Sequence, residues 1–244
     1  MAAQAALSYR LAIEATVSRT MNPFRSLVAS LLASIPIAAS AADTAPHHVE
    51  QSVSCVPVTE RGNSKLGCFV IGTQIMGKLP ATPVFWHLYQ YPDRASAVAA
   101  SIGAHGIAVE SLGKSWLLNV AEADWSPAGG QRIARIGPLP VKDTASYTAE
   151  YMEATFVPGM RSAVHRHPGP ESWYVVTGEQ CVETPGKKQV IRAGESGVVE
   201  EGVPMVLHGT GAGAREALVV ILHDTSKPMT APASDWKPAG LCTG

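Results

Sequence analysis

From residue 147 onward, short apolar runs alternate with turn-forming residues, and scarcely any helical period is visible. Many short strands at such spacing are typical of a β-sandwich or a β-barrel. We therefore predict a mainly β fold, with a β-barrel over residues 141–226 and a C-terminal tail over 227–244. The runs that predict its strands are 147–156, 162–167, 172–177, 180–183, 189–192, 197–199, 205–208 and 217–223.

The residues before the barrel have a mixed pattern. Segments rich in β-branched and aromatic residues predict strands, and an alanine-rich segment at 95–102 predicts a helix whose first turn Asp93 can cap. Residues 66–140 therefore form a smaller α+β module, preceded by a polar, flexible segment at 43–65. The sequence leaves open whether the module is a separate domain or extends the sheets of the barrel. Its predicted strands are 67–76, 83–89, 106–110 and 114–122.

Residues 1–42 have the pattern of a leader. Met21 and Arg25 form a short basic start, 27–37 an apolar stretch, and Ala-Ser-Ala at 39–41 a small-residue cleavage site. This order is typical of a secretory signal peptide, and it favours Met21 as the true start of the protein. We therefore expect a periplasmic or secreted protein. The alternative is a disordered or helical N-terminal extension of a cytoplasmic protein.

The apolar stretch within the leader does not predict a membrane span. It is rich in Ala and Ser, it is interrupted by Pro36, and no second span follows. The whole chain of 244 residues carries 19 basic and 20 acidic side chains, a net charge near −1. Such a balance does not indicate a nucleic acid or an anionic membrane as partner. A small, roughly neutral ligand fits this composition more easily.

Four cysteines lie at positions 55, 68, 181 and 242. In an oxidising compartment an even number is compatible with two disulfides, and the spacing alone does not choose among three pairings. The simplest pairing joins Cys55 to Cys68 across a short turn, and Cys181 to Cys242, so that the tail is tied to the barrel. Four unpaired, buried cysteines are the alternative.

Chemistry-bearing residues are concentrated in one segment, 159–178. In a strand, side chains two positions apart share a face, so His165 and His167 project together. A chain reversal at Pro-Gly-Pro, 168–170, would bring Glu171 to the start of the next strand. Two imidazoles and a carboxylate on one face suit a divalent transition metal. Trp173 alternates onto the same side as Glu171 and is expected to line the pocket.

These twenty residues resemble the first cupin motif, G-x5-H-x-H-x3-E-x6-G, at every specified position. The resemblance covers about residues 145–225 and implies a cupin-type jelly-roll β-barrel, preceded here by the smaller α+β module. It also implies one metal inside the barrel, which in the superfamily is iron, manganese, zinc, nickel or copper, and a homodimer formed through sheet edges. Members include dioxygenases, isomerases, decarboxylases and non-enzymatic binders, so the fold alone does not choose a reaction.

The second cupin motif is poorly kept. Where it has its last histidine ligand, this chain has Met205, which we expect to line the pocket and whose thioether would suit copper(I) better than a hard cation. His208 could replace the missing ligand only if a β-bulge near Gly209 turned it inward, because an odd offset on a regular strand faces the other side.

Two functions fit this sequence. The first is a metal-dependent enzyme, of oxygenase or isomerase type, acting on a small organic molecule. The second is a non-catalytic barrel of the cell envelope that holds a metal or small ligand. An enzyme needs a general acid or base on the inner face, and the candidates Glu183 and Glu195 cannot be placed there from the sequence. A third interpretation leaves the barrel without metal, its two histidines and glutamate forming a hydrogen-bonded polar cluster.

Overall fold

The structure is a computed structural model that describes residues 52–243, with side chains from residue 54. It contains one α-helix, α1 (Arg94–Ala104), which is too short to cross a membrane. The strands of the described part are β1 (Ser52–Val53), β2 (Cys55–Pro57), β3 (Gly67–Lys78), β4 (Val84–Tyr91), β5 (Ile107–Ser111), β6 (Lys114–Glu122), β7 (Gln131–Ile136), β8 (Ser146–Phe156), β9 (Arg161–Ser162), β10 (His165–Arg166), β11 (Glu171–Thr177), β12 (Glu179–Thr184), β13 (Lys187–Arg192), β14 (Ser196–Val199), β15 (Val206–Thr210), β16 (Arg215–Asp224) and β17 (Ala231–Pro232).

Two sheets face each other and form the jelly-roll barrel. One has six strands in the order β14-β11-β16-β8-β3-β2, and the other has five in the order β1-β9-β15-β12-β13. Alternate residues of both sheets point inward and form one apolar cluster, as expected for facing sheets. This cluster is the core of the barrel, and it includes Met152, Phe156, Trp173, Val182, Leu207 and Val219.

A third sheet covers the outer face of the six-stranded sheet. Its strands lie in the order β5-β6-β4-β7, and its apolar side chains pack against outward-facing residues of β8 and β16, such as Tyr151 and Val220. Helix α1 covers the opposite face of this third sheet through Ala97 and Leu117. The barrel therefore has an added β layer and one helix on one side.

This arrangement answers the question that the sequence left open about residues 66–140. Strand β3 pairs along its length with β8 and belongs to the barrel's own sheet, whereas β4 to β7 form the added layer. The predicted helix is confirmed, and the Asp93 side chain accepts a hydrogen bond from the backbone N–H of Ser96 at 2.7 Å. Strand β7 was not predicted, because its sequence alternates only weakly between apolar and polar residues.

The segment that the sequence assigned as flexible, 43–65, is ordered where the structure describes it. Strand β2 pairs in parallel with β3, and a disulfide joins Cys55 to Cys68 across this pair. Strand β1 pairs in parallel with β9. Polar composition suggested flexibility, but long-range backbone pairing and a covalent link order the segment. The predicted leader at 1–42 lies outside the described residues.

The C-terminal tail is held against the barrel. A second disulfide joins Cys181 of β12 to Cys242, which confirms the simplest pairing of the four cysteines. Beside it, the buried carboxylate of Glu183 accepts backbone N–H groups of three consecutive tail residues, Ala239, Gly240 and Leu241, at 2.5–3.1 Å. Strand β17 of the tail pairs with β10, which carries His165. The tail therefore lies directly beside the candidate site.

Candidate metal centre

Three potential ligands converge at one end of the barrel. His165 lies in β10, His167 follows it, and Glu171 opens β11. Oε2 of Glu171 lies 2.9 Å from Nε2 of His167 and 3.9 Å from Nε2 of His165. One ligand atom from each residue lies within 4.8 Å of the others. We call these residues the three-residue cluster; within residues 52–243 it is the one group of this kind.

The hydrogen bonds of both rings leave Nε2 free for the cluster. Nδ1 of His165 lies 2.7 Å from the carbonyl oxygen of Ala163, and Nδ1 of His167 lies 2.7 Å from that of Met229. A carbonyl only accepts, so each Nδ1 carries the hydrogen, and in a neutral ring Nε2 then presents a lone pair. A backbone carbonyl behind a histidine in this way is the usual support of a metal-binding imidazole.

The glutamate and the histidines of the cluster stabilise each other's charged forms. Burial raises the pKa of Glu171, but the positive charges and hydrogen bonds offered by His167 and His165 outweigh it and bring the pKa to about 2. Burial lowers the pKa of His165, yet the hydrogen bond and negative charge of Glu171 leave it raised overall. The carboxylate is therefore ionised at neutral pH, and a positive charge beside it is favoured.

The path of the chain between His167 and Glu171 differs in part from the expected reversal. The carbonyl groups of Pro168 and Pro170 accept hydrogen bonds from the backbone of Asp224 and Leu222, in the same antiparallel register that pairs Glu171 with Ile221. Residues 168–170 therefore bend ahead of β11, as a change of direction was expected there, but they stay paired with β16 through the proline carbonyls instead of forming a separate loop. Because prolines have no N–H, Pro168 and Pro170 contribute only their carbonyl groups to this pairing.

Gly169 allows this segment to lie close to β16. A Cβ at this position would lie 1.9 Å from the carbonyl oxygen of Leu222. Any larger residue would push the segment away from β16 and move Glu171 relative to the histidines. The glycine between the two prolines is therefore a steric requirement of the site.

The cluster opens into a cavity of about 190 Å³ inside the barrel. Trp173 lines this cavity, as predicted from the alternation of β11. Met205 does not; it is buried in the apolar core, and its backbone pairs with that of His165. The residues that line the cavity but were not identified from the sequence include Phe156, Arg215, Val219, Met229 and Thr230.

His208 does not belong to the cluster. Strand β15 pairs with β12 from Val206 to Thr210 without a register shift, so no bulge turns His208 inward. Its neighbour Leu207 faces the cavity, and His208 lies on the opposite face, against Cys181 of β12. The regular alternation of β15 therefore excludes His208 as a replacement for the missing histidine ligand.

Neither candidate for a general acid or base faces the cavity. Glu183 is buried but holds the backbone of the tail, and the carboxylate of Glu195 accepts a hydrogen bond from the backbone of Arg192 in a surface turn. Among the described residues that line the cavity, the three-residue cluster supplies every carboxylate and imidazole. Proton transfer inside this barrel would therefore depend on the cluster itself.

The fold and the cluster define a class of protein: a jelly-roll barrel with two histidines and a glutamate at the mouth of an internal cavity. In sequence, residues 152–221 match the family described as the cupin domain. The match begins on β8 and ends on β16, so it includes the whole cluster. Residues 152–221 of this chain therefore form a cupin domain.

Some solved structures resemble parts of this chain at low similarity. An oxalate oxidase is 23% identical over 35% of this chain and 46% of its own, with a TM-score of 0.31. A protein with a double-stranded β-helix domain from Klebsiella pneumoniae is 19% identical over 38% of this chain and 78% of its own, with a TM-score of 0.31. A cupin-like protein from Thermotoga maritima is 15% identical over 43% of this chain and 86% of its own, with a TM-score of 0.33. This chain thus spans under half of the oxalate oxidase. No curated protein matches it.

Proposed function

We propose that the barrel binds one divalent transition metal through His165, His167 and Glu171, and that the metal-loaded protein is an enzyme acting on a small organic molecule. The observation that carries this proposal is the state of the ligand atoms. Nε2 of His167 and Oε2 of Glu171 are both buried, and among the described residues each has only the atoms of this cluster within reach.

A cation between these atoms resolves an electrostatic conflict. The Nδ1 atoms of both histidines donate to carbonyl groups, so in the neutral rings the lone pair of each Nε2 faces a carboxylate oxygen. Two lone pairs at 2.9 Å repel unless a proton or a metal ion lies between them. Two imidazoles and one carboxylate suit iron, manganese, zinc, nickel or copper, and the set leaves positions open for a substrate.

When bound, such a metal would act as a Lewis acid toward an oxygen atom of the substrate or would bind oxygen. The chain's own residues would prepare the site. Carbonyl groups of Ala163 and Met229 would hold the rings in one orientation, and the apolar side chains of Val219 and Trp173 would exclude water from the substrate. The small cavity favours a substrate below the roughly 300–1,000 Å³ typical of drug-sized ligand sites.

The test is metal content, measured by mass spectrometry on protein purified without chelator. We expect close to one metal ion per chain, lost in His167→Ala and retained in the matched control His208→Ala, since His208 lies on the other face of its strand. Oxygen uptake and substrate turnover would then be measured on the loaded protein. Absence of metal from wild-type protein, after incubation with each of the five metals, would contradict the proposal.

A non-catalytic binding barrel is the second candidate. It is favoured by the composition of the cavity wall, which offers no carboxylate or imidazole beyond the three-residue cluster among the residues described. It predicts stoichiometric metal or ligand without turnover. A tightly bound organic molecule recovered from purified protein, with no reaction upon addition of oxygen, would favour this candidate over the enzyme.

We also propose export to the periplasm or the exterior. The two disulfides support this location, because disulfides persist mainly in oxidising compartments. N-terminal sequencing of the mature protein tests the idea, and we expect cleavage after Ala41. An intact N-terminus in the cytoplasmic fraction would contradict it.

A further inference from the structure

Arg215 is a buried cation without a close ion pair among the described residues, although the charge of Glu171 in the same cavity acts on it at longer range. It begins β16, its exposed fraction is 0%, and it lines the same cavity as the three-residue cluster. Within residues 52–243, no carboxylate lies within ion-pair distance of its guanidinium, and its contacts are a neutral amide, a carbonyl and an aromatic ring. Buried charges are normally paired, because an unpaired charge in a dry interior is costly.

The guanidinium also retains free donors. Nε and Nη2 both donate to Oε1 of Gln180, and Nη1 lies at the long distance of 3.5 Å from the carbonyl oxygen of Ala154. A guanidinium has five N–H groups, so two have no acceptor among the described residues. The protein holds Arg215 in place through its Nε side and leaves the rest of the fork for another acceptor.

A second orphaned donor lines the same cavity. Nε1 of Trp173 is buried and has no acceptor in the described part of the chain, although a buried indole N–H normally finds one. Trp173 lies on β11, which pairs with β16, and its residue stands opposite Val219. The cavity thus offers donors from two neighbouring strands and apolar contacts between them.

The balance of charge inside the cavity also favours an anionic ligand. With a divalent metal at the three-residue cluster, the metal and Arg215 bring three positive charges into the barrel, against the single negative charge of Glu171. Burial already lowers the pKa of Arg215 to about 9, which reflects the cost of keeping this charge dry. An anionic ligand would compensate the excess, whereas the roughly neutral ligand suggested by overall composition would not.

We infer that this cavity binds a small organic carboxylate, with Arg215 as the anion-binding residue and the indole N–H of Trp173 as a further donor. For the end of the ligand that meets the three-residue cluster, this inference rests on the proposed function. Binding of the carboxylate at Arg215 does not depend on the proposed function, because the guanidinium and the indole donate hydrogen bonds without a metal. A planar carboxylate matches the fork of a guanidinium through two parallel hydrogen bonds.

The test compares ligands of equal size and different charge. Acetate with acetamide, and butanoate with butanamide, are titrated calorimetrically into the mature protein, once with chelator and once loaded with zinc. We expect each carboxylate to bind at least about tenfold more tightly than its amide in both conditions, because charge-assisted hydrogen bonds are the stronger ones.

Variants locate the binding. Arg215→Met keeps the length of the side chain and removes the charge, and we expect it to lose at least about tenfold in carboxylate affinity. Trp173→Phe keeps an aromatic ring and removes the N–H, and we expect a smaller loss. Arg192→Met is the matched control, since Arg192 pairs with Glu179 on the surface and should leave binding unchanged. If Arg215→Met does not fold, Arg215→Lys retains the charge without the fork and should bind more weakly than wild type.

Each outcome has one meaning. Carboxylate binding that survives chelation and is lost with Arg215 supports the inference, even if the metal proposal fails. Carboxylate binding that needs zinc and is unaffected by Arg215→Met would place the anion on the metal alone and overturn the inference, while leaving the metal proposal intact. Equal binding of carboxylates and amides, or no binding of either carboxylate, would also overturn it.

Discussion

The tail is expected to control metal affinity as well as stability. Residues 227–243 reach the site at three points: the carbonyl of Met229 orients His167, Thr230 lines the cavity, and Pro232 pairs with His165. The disulfide between Cys181 and Cys242 holds the far end of this tail to β12. Replacing both cysteines with serine should therefore loosen the support of His167 without changing a ligand.

The size of the effect follows from the structure. The disulfide closes a loop of 61 residues, for which loop-closure entropy gives a loss of about 4 kcal/mol in the free energy of unfolding. The Cys55–Cys68 disulfide closes 13 residues between strands that stay paired, and its removal should cost about 3 kcal/mol. Loss of a group behind a ligand typically lowers metal affinity about 10–100-fold.

The assay combines urea unfolding with zinc affinity, measured by competition with a chromophoric chelator. The Cys181→Ser/Cys242→Ser protein should lose both stability and zinc affinity, whereas Cys55→Ser/Cys68→Ser should lose stability and retain affinity. Equal zinc affinity in wild type and in the Cys181→Ser/Cys242→Ser protein would refute the role of the tail. It would show that His165, His167 and Glu171 are positioned by the barrel alone.

Two further predictions concern the cluster. In chelator, the stability that Glu171 contributes is present above its unfolded pKa of 4.5 and is lost as pH falls toward its folded pKa of about 2. The stability that His165 contributes is present below its unfolded pKa of 6.5 and is lost as pH rises through its raised folded pKa. Urea unfolding should therefore show the largest contribution of this pair near pH 5–6, and Glu171→Gln should flatten the pH dependence of stability on the acidic and the basic side of that range. Gly169→Ala should cost about 1–3 kcal/mol or more through overpacking against Leu222 and should lower zinc affinity. The matched control Gly103→Ala, in helix α1 and with open space around its Cβ, should leave zinc affinity unchanged. Equal zinc affinity in the two variants would contradict the steric argument.

The parts of the site that follow from local geometry were predictable. His165 and His167 are two residues apart, and Trp173 lies two residues beyond Glu171, so the period of a strand places each pair on one face. The same rule correctly set His208 on the opposite face from Met205, which lies in the barrel core. The short helix α1 was also predictable, since an alanine-rich segment behind Asp93 has both the propensity and the cap.

Long-range pairing could not be predicted in the same way. A proline-glycine-proline segment is typical of a turn, yet residues 168–170 stay paired with β16 because its backbone offers N–H groups to the proline carbonyls. Polar residues near Cys55 suggested flexibility, yet parallel pairing with β3 orders them. In both cases the deciding partner lies far away in the sequence, where local composition carries no information about it.

Arg215 shows why the chemistry of a ligand is harder to infer than its location. Taken alone, it is one arginine after a glycine-rich turn, and an arginine at the start of a strand is normally exposed to solvent. Its place inside the barrel follows from the register of β16: side chains two apart share a face, so Arg215 faces inward with Val219 and Ile221, the residue that stands beside Glu171. Strand β16 thus runs from Arg215 to the residue beside Glu171. The overall charge of the chain carries no information about this placement, and so it did not reveal the positive charge inside the cavity.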